Sequence, residues 1–283
     1  MLHLRVRTAT PVGVPVGHSA LRHRFHLHRP TPGRAHHVGA RSLVVRCGWW
    51  VSAALAVAAF TSFATAVSTP PRSGPYCTSA CVSYPYTDVA AFAPRDYVWM
   101  YPTMAMVLLV AVLAVCLHAW VPTARRLLTA LGVSLTVIAA ATLVVDYALQ
   151  LTVVQAALGA GEVEGLTLLS QYNPHGAFVG LENVGYATMA AAFVFLGAAL
   201  VAGADTLVRA SGWVLVAGGA AILAALVLFA VRYGSGLEYR FEVVALMVTW
   251  LVLTVVGILM AAVFATARGS SMPLRRAAGR TAA

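Results

Sequence analysis

Apolar residues fill six long runs of the chain, and shorter polar segments separate them. The runs are Cys47 to Val67, Tyr97 to Val121, Leu127 to Gln150, Val184 to Ala204, Ala210 to Val231 and Val243 to Ala267. Each run has about 20 residues or more, enough for an α-helix to cross a hydrocarbon core of about 30 Å. Because a helix satisfies its own backbone hydrogen bonds in lipid, the pattern predicts an all-α fold, a polytopic transmembrane helix bundle with six spans.

The overall composition agrees with a membrane protein. The 283 residues are 60% hydrophobic and only 10% charged, which is far from the composition of a soluble domain. We therefore expect residues 44–267 to form one transmembrane domain whose surroundings are the lipid bilayer.

The distribution of arginine predicts the orientation, since the chain has no lysine. Most of the 19 basic residues lie in residues 1–46, in the 122–126 and 205–209 links and in the tail 268–283, all on one side of the predicted spans. The positive-inside rule then makes both termini and the basic tail cytoplasmic. The net charge of +10 is explained by this topology. We expect no nucleic-acid partner, because no aromatic platform accompanies the basic residues.

Residues 1–43 are rich in arginine and histidine and contain no acidic residue. They are predicted to be a disordered basic tail, or else translation begins further downstream, near Val44 or Val45. A metal-binding histidine tract is a third interpretation of "HRFHLHRP". The first apolar run also has an alternative as a cleaved signal peptide, because the small residues of "SFATAVST" are spaced like a cleavage site.

A long polar segment, residues 68–96, separates the first two runs, and the orientation makes it an outer loop. It contains Cys77 and Cys81 with three residues between them. On the oxidising side of a membrane this pair predicts a disulfide, provided that the Cα atoms lie within about 7 Å. A redox-active pair is the alternative.

Polar residues recur along the third predicted helix. Thr142, Asp146 and Gln150 are four residues apart and so form one stripe on its outward half. A carboxylate at mid-membrane costs about 2.5 to 3.5 kcal/mol on insertion scales, so Asp146 needs a partner, water or a proton.

The segment "SQYNPHG" precedes the fourth run. Asn173 suits a helix N-cap and Pro174 the first helical position, which predicts that the fourth helix begins there. On that register His175, Glu182 and Tyr186 return to nearly the same helix face.

The sixth helix begins in "GLEYRFEV", where Glu238 and Glu242 share one face. Arg240 points elsewhere and is predicted to pair with Asp146 or Glu182. Three helices would therefore bring polar side chains to one outer level of the bundle.

This convergence predicts binding or transport of a small molecule or an ion at an outward-facing polar site. The candidate site residues are Asp146, Gln150, His175, Glu182, Tyr186, Arg240 and Glu242. One alternative is a structural or partner-interaction protein in which the polar cluster only holds the helices in register. A membrane enzyme is the third interpretation.

Catalysis has little support in the sequence, and we assign no catalytic residue. A catalytic zinc needs three protein ligands, whereas the outer side offers one histidine besides its carboxylates. Haem ligation between helices usually takes paired histidines, and His118 is alone within the predicted helices. We therefore predict no metal and no cofactor. The sequence does not indicate an oligomeric state.

At "SQYNPHG" and "EYRFEV" the chain resembles an uncharacterised group of bacterial multi-pass, six-helix membrane proteins with no known activity. The resemblance extends over about residues 47–267. It implies a bacterial plasma membrane location and assigns a role to none of the residues.

Overall fold

The computed structural model describes residues 32–280, with the side chains of residues 42–268 other than that of Glu238. Over residues 32–280 the secondary structure is helical, without a β-strand. The α-helices are Pro32–Val67 (α1), Met100–Trp120 (α2), Arg126–Ala148 (α3), Gln155–Ala160 (α4), Leu166–Leu169 (α5), Ala177–Val201 (α6), Thr206–Tyr233 (α7) and Glu238–Arg280 (α8). A π-helix, Leu149–Val154, joins α3 to α4 without a break.

Six of the described segments are long and apolar enough to cross a membrane. They are Ser42–Val67, Arg95–Trp120, Thr123–Ala160, Ala177–Val201, Thr206–Gly236 and Tyr239–Arg268. The predicted all-α fold is confirmed, and so is the number of segments that are long and apolar enough to span a membrane. The third segment extends ten residues beyond the predicted end at Gln150, because α3 continues through the π-helix into α4.

The N-terminal part of the chain differs from the sequence prediction. α1 begins at Pro32, so residues 32–43 are helical, although the composition predicts a disordered tail there. Residues 1–31, which include the candidate histidine tract, lie outside the described residues. At the other end α8 includes residues 268–280 of the predicted basic tail.

The six long helices form a closed ring. Helices that are adjacent along the chain pack against each other, α3 packs against α6, and α8 returns to pack against α1. α6 also contacts α8 across the ring. Side chains from α3, α6 and α8 therefore meet in the interior, where Tyr147, Tyr186 and Trp250 are fully buried.

Glycines allow close approach where α6 and α7 pack together. A Cβ atom added to Gly197 would lie 2.6 Å from the Gly212 carbonyl oxygen, and one added to Gly219 would lie 2.5 Å from that of Ala190. Small residues at helix contacts are the usual means of association where lipid supplies no hydrophobic drive. This packing helps to fix α6, which carries two residues of the candidate site.

The two ends of the ring are unlike each other. One end has the short links between α2 and α3 and between α6 and α7, together with Arg125, Arg126, Arg209 and Arg268; we call it the basic end. The opposite end has the connections 68–99, 161–176 and 234–237; we call it the capped end. Cys77 and Cys81 lie in its long loop, and their Sγ atoms are at disulfide distance, 2.04 Å, as predicted.

The loop of the capped end folds down onto the helices. The hydroxyl oxygens of Ser73 and Tyr239 are 3.0 Å apart, and the Ser170 hydroxyl donates to the Tyr86 carbonyl oxygen at 2.9 Å. Tyr239 also donates to the carbonyl oxygen of Gln171 at 2.7 Å. The loop, the 161–176 segment and the start of α8 therefore form one cap.

The predicted start of the fourth helix at Pro174 is wrong. α6 begins at Ala177, and Gly176 is its N-cap residue. The Asn173 side chain instead closes the preceding turn, since its amide donates to the Thr167 carbonyl oxygen at 2.8 Å and accepts from the His175 backbone N–H at 2.9 Å. Asparagine often bonds local backbone in this way, in competition with capping.

Candidate functional site

Three acidic side chains from three different helices meet in the interior near the capped end. Asp146 belongs to α3, Glu182 to α6 and Glu242 to α8, and their exposed fractions are 1%, 0% and 7%. Glu182 and Glu242 are within hydrogen-bonding reach of each other, and Asp146 is close enough to interact electrostatically with both. We call these three residues the carboxyl cluster.

Two buried tyrosines extend the carboxyl cluster. The Tyr147 hydroxyl donates to Oε1 of Glu182 at 2.6 Å, and its oxygen is 2.8 Å from the Tyr186 hydroxyl oxygen. Both phenols are fully buried. Hydrogen bonds therefore connect α3 to α6 at this level and orient one oxygen of Glu182.

Each acid of the carboxyl cluster has one buried carboxyl oxygen without a donor. Oδ2 of Asp146 and the Oε2 atoms of Glu182 and Glu242 are buried and accept no hydrogen bond from an N–H or O–H group of the described residues. A hydrogen bond between two carboxyl groups needs a proton on one of them. Two ionised carboxyl groups so close together would repel each other, and a proton or a cation between Glu182 and Glu242 would remove that repulsion.

Among the described side chains, no ion pair compensates the carboxyl cluster. The two arginine–carboxylate pairs found among them at the capped end belong to Asp96. The Arg240 guanidinium donates to the Gly236 carbonyl oxygen at 2.7 Å and lies 4.7 Å from the centroid of the Tyr233 ring. The predicted pairing of Arg240 with an acid of the cluster is therefore wrong. The first turn of α8 aims this side chain back toward the end of α7.

The other two candidate residues, Gln150 and His175, do not contact the carboxyl cluster in the described hydrogen bonds. Gln150 is buried in the π-helix, where its amide donates to the Leu169 carbonyl oxygen at 2.6 Å; Oε1 has no described partner. π-Helical turns inside α-helices are frequent at functional sites. His175 is exposed in the 161–176 segment, away from the buried face of Glu182 and Tyr186, because α6 starts after it.

A cavity of about 170 Å³ leads from the surface of the capped end to the carboxyl cluster. Pro70, Pro71 and Tyr76 form part of its lining and are exposed. Glu242 is the residue of the carboxyl cluster that lines the cavity. The buried aromatic side chains of the lining include Trp99, Phe178 and Trp250.

Of these three aromatic rings, that of Trp99 packs against the other two. The ring centroid of Trp99 is 5.9 Å from that of Trp250 and 6.5 Å from that of Phe178. The Trp250 indole N–H lies beside the Tyr186 hydroxyl, but it makes no well-formed hydrogen bond. The cavity thus has an aromatic wall next to a carboxyl group.

A fourth buried acid, Asp96, lies in the capped end and is fully partnered. Its two oxygens accept from Arg72 Nε at 3.0 Å and from Arg95 Nε at 2.9 Å. The Tyr172 hydroxyl lies 3.4 Å from Oδ2. Burial, with Tyr97 and Asp96 nearby, raises the pKa of Tyr172 well above its usual range, so this phenol stays a neutral donor.

The described residues do not contain a group of three or more His, Cys, Asp or Glu side chains arranged to hold a metal ion. The three carboxyl groups of the carboxyl cluster lie near one another but are not arranged in this way. Divalent ions such as Ca²⁺ take about six to eight oxygens.

Sequence reasoning found part of this site. The structure brings together Asp146, Glu182, Tyr186 and Glu242, and it separates them from His175 and from the Arg240 guanidinium. It adds Tyr147, which follows Asp146 directly, and the aromatic wall. An aromatic residue beside an intramembrane acid is a usable signal, whereas Trp99 and Trp250 look in the sequence like any interfacial or lipid-facing tryptophan.

Comparison of the chain with protein-family models, with curated proteins and with solved structures finds no match. The cavity and the carboxyl cluster are therefore the features of the molecule that bear on its function.

Proposed function

We propose that this chain is a multi-pass membrane protein that binds a proton or a small cation at the carboxyl cluster and takes part in ion binding or transport. The observation that carries the proposal is the burial of Asp146, Glu182 and Glu242 together, with no basic side chain of the described residues paired to any of them. Uncompensated carboxylates in a low-dielectric interior are too costly to persist. Intramembrane acids of this kind typically belong to ion pathways and proton relays.

The connections of the carboxyl cluster support exchange with the solvent. Glu242 lines the cavity, Glu182 is within hydrogen-bonding reach of Glu242, and Tyr147 and Tyr186 continue the hydrogen bonds inward. A proton or cation arriving through the cavity would meet Glu242 first. Displacement of a proton from the Glu182–Glu242 contact by an incoming cation would couple the binding of the two.

The orientation is part of the proposal. Arginines of the basic end would face the cytoplasm with both termini, by the positive-inside rule. The capped end and its cysteine pair would then face the exterior, where disulfides form. A bacterial plasma membrane is the location implied by the resemblance in the sequence.

Infrared spectroscopy of the purified protein tests the proposal directly. A neutral carboxylic acid has a carbonyl stretching band distinct from that of a carboxylate, and the band shifts in D2O. We expect this band in the wild type at neutral pH and its reduction in Glu182→Gln and Glu242→Gln. Adding the cation that binds should reduce the band in the wild type.

Glu162→Gln is the matched control, because it makes the same change at an exposed position of the 161–176 segment. Its spectrum should equal that of the wild type. An unchanged band in all three variants would refute the shared proton. Destabilised Glu182→Gln and Glu242→Gln proteins, with no change in proton or cation binding, would favour the structural alternative.

A further inference from the structure

We propose that the cavity at the capped end binds a small organic ammonium ion, with the positive charge beside Glu242 and the alkyl groups against Trp99, Phe178 and Trp250. The inference rests on the proposed function and names the chemical class of its cation. It depends on the charge, the lining and the volume of the cavity.

Among the charged side chains that line the cavity, one carboxyl group has no basic partner. Arg72 and Asp96 line it as well, but they neutralise each other through their 3.0 Å ion pair. The Arg72 guanidinium also lies 4.3 Å from the centroid of the Phe92 ring. Glu242 has no such cation, and its buried Oε2 atom accepts from no N–H or O–H donor of the described residues. Glu182 behind it adds to the negative potential, so the cavity favours a cation.

The aromatic side chains of the cavity lining favour an organic ammonium ion over a metal ion. Aromatic faces attract ammonium groups through the ring quadrupole, and desolvated sites make this attraction strongest. Trp99, Phe178 and Trp250 supply three adjacent rings to the cavity that Glu242 lines. A metal ion would instead need several oxygen ligands. The hydroxyls of Ser73 and Tyr239, which line the same cavity, are already engaged with each other.

The volume limits the size of the ligand. The cavity measures about 170 Å³, and a protein cavity of roughly 150 Å³ is large enough for benzene. A compact ammonium ion of about five or six heavy atoms, such as tetramethylammonium, would therefore fit. The exposed rim at Pro70, Pro71 and Tyr76 gives such an ion access from the capped end.

Isothermal titration calorimetry on the purified full chain tests this inference. The probes are tetramethylammonium chloride and methylammonium chloride. tert-Butyl alcohol serves as the neutral analogue of similar shape, and sodium chloride serves as the inorganic control at equal ionic strength. We expect saturable binding of an ammonium probe and none of the alcohol.

Substitutions locate the binding site. Glu242→Gln should weaken ammonium binding by about 30-fold or more, because it removes the buried opposite charge. Trp250→Leu should weaken it by about 3- to 30-fold, the range of a desolvated cation–π contact. Glu162→Gln and Trp213→Leu change exposed residues of the same types and should bind like the wild type. Trp250→Phe keeps a ring and should lose less affinity than Trp250→Leu.

The possible results separate this inference from the proposed function. It is overturned if no ammonium probe binds, if the alcohol binds equally well, or if Glu242→Gln binds ammonium like the wild type. Binding of sodium alone, lost in Glu242→Gln, would overturn the ammonium assignment and leave the proposed function in place. No binding of either cation, together with an infrared band that Glu182→Gln leaves unchanged, would overturn both.

Discussion

Asp96 and the carboxyl cluster are similarly buried, yet their surroundings are opposite. Asp96 is 1% exposed and lies between two arginines, with a tyrosine hydroxyl nearby. Asp146 and Glu182 are 1% and 0% exposed, and no basic residue of the described chain pairs with them. A buried acid that is paired with basic side chains stabilises the fold, because removing either partner leaves a buried charge unpaired. Buried acids without a basic partner instead typically mark proton or ion pathways. This difference in partners indicates a structural role for Asp96 at the capped end and agrees with the functional role that we propose for the carboxyl cluster.

Removal of the Asp96 charge should give the largest loss of stability. In Asp96→Asn the Arg72 guanidinium, whose side chain is 11% exposed, would be left buried without its counter-ion. Breaking a buried pair in this way costs about 3 to 5 kcal/mol. Chemical denaturation in detergent should show this loss. Stability equal to that of the wild type would mean that the capped end does not depend on the pair.

Tyr147→Phe should have an intermediate effect within the carboxyl cluster. It removes the hydroxyl that donates to Glu182 and leaves the Tyr186 hydroxyl without that partner. The expected loss of stability is about 1.5 to 3 kcal/mol, since the lost bond involves a buried acidic group. Tyr97→Phe is the matched control, because the Tyr97 hydroxyl is buried without a well-formed hydrogen bond. Denaturation of both variants should show the smaller loss in Tyr97→Phe, and the reverse order would contradict the role given to Tyr147.

Glu182→Gln should change stability little, by about 1 kcal/mol or less, and is the sharpest contrast with Asp96→Asn. An amide keeps the size of the side chain and accepts from Tyr147, and it removes an acid that has no cationic partner among the described residues. Unlike the loss of Asp96, the loss of this acid leaves no buried counter-ion unpaired. Thermal unfolding of both variants measures the contrast, and equal large losses would show that both acids are structural.

Arg95→Gln should have the smallest effect, although Arg95 makes the shorter of the two ion pairs to Asp96. The Arg95 side chain is 67% exposed, against 11% for Arg72. Exposed ion pairs contribute about 0 to 1 kcal/mol because water and salt screen them. Denaturation of Arg95→Gln and Arg72→Gln side by side tests this ranking. A larger loss in Arg95→Gln would contradict the assignment of Arg72 as the main partner.

Part of the candidate site could be predicted from the sequence, and the rest could not. The spacing of Asp146 and Gln150 and the acids at the starts of the fourth and sixth helices indicate an end of the bundle rich in polar groups. The direction of Arg240 could not be predicted, because it depends on where the first turn of α8 meets the end of α7. The prediction that His175 shares a helix face with Glu182 is wrong because α6 starts three residues later than Pro174, which leaves the histidine outside the helix.

The all-helical architecture, the number of apolar spans and the reach between Cys77 and Cys81 all follow from the amino-acid sequence. These features are local. A spanning helix is recognised from the hydropathy of about 20 consecutive residues, and the two cysteines are only four positions apart, so neither feature depends on residues distant in the sequence. Helix packing alone brings Glu182 to Glu242, joins Tyr147 to them and makes Trp99 and Trp250 the wall of a cavity. The physical reason is that lipid-facing and interior-facing side chains of such helices are similarly apolar. The rotation of each helix about its axis is therefore set by packing between helices, and that rotation determines which polar groups face one another.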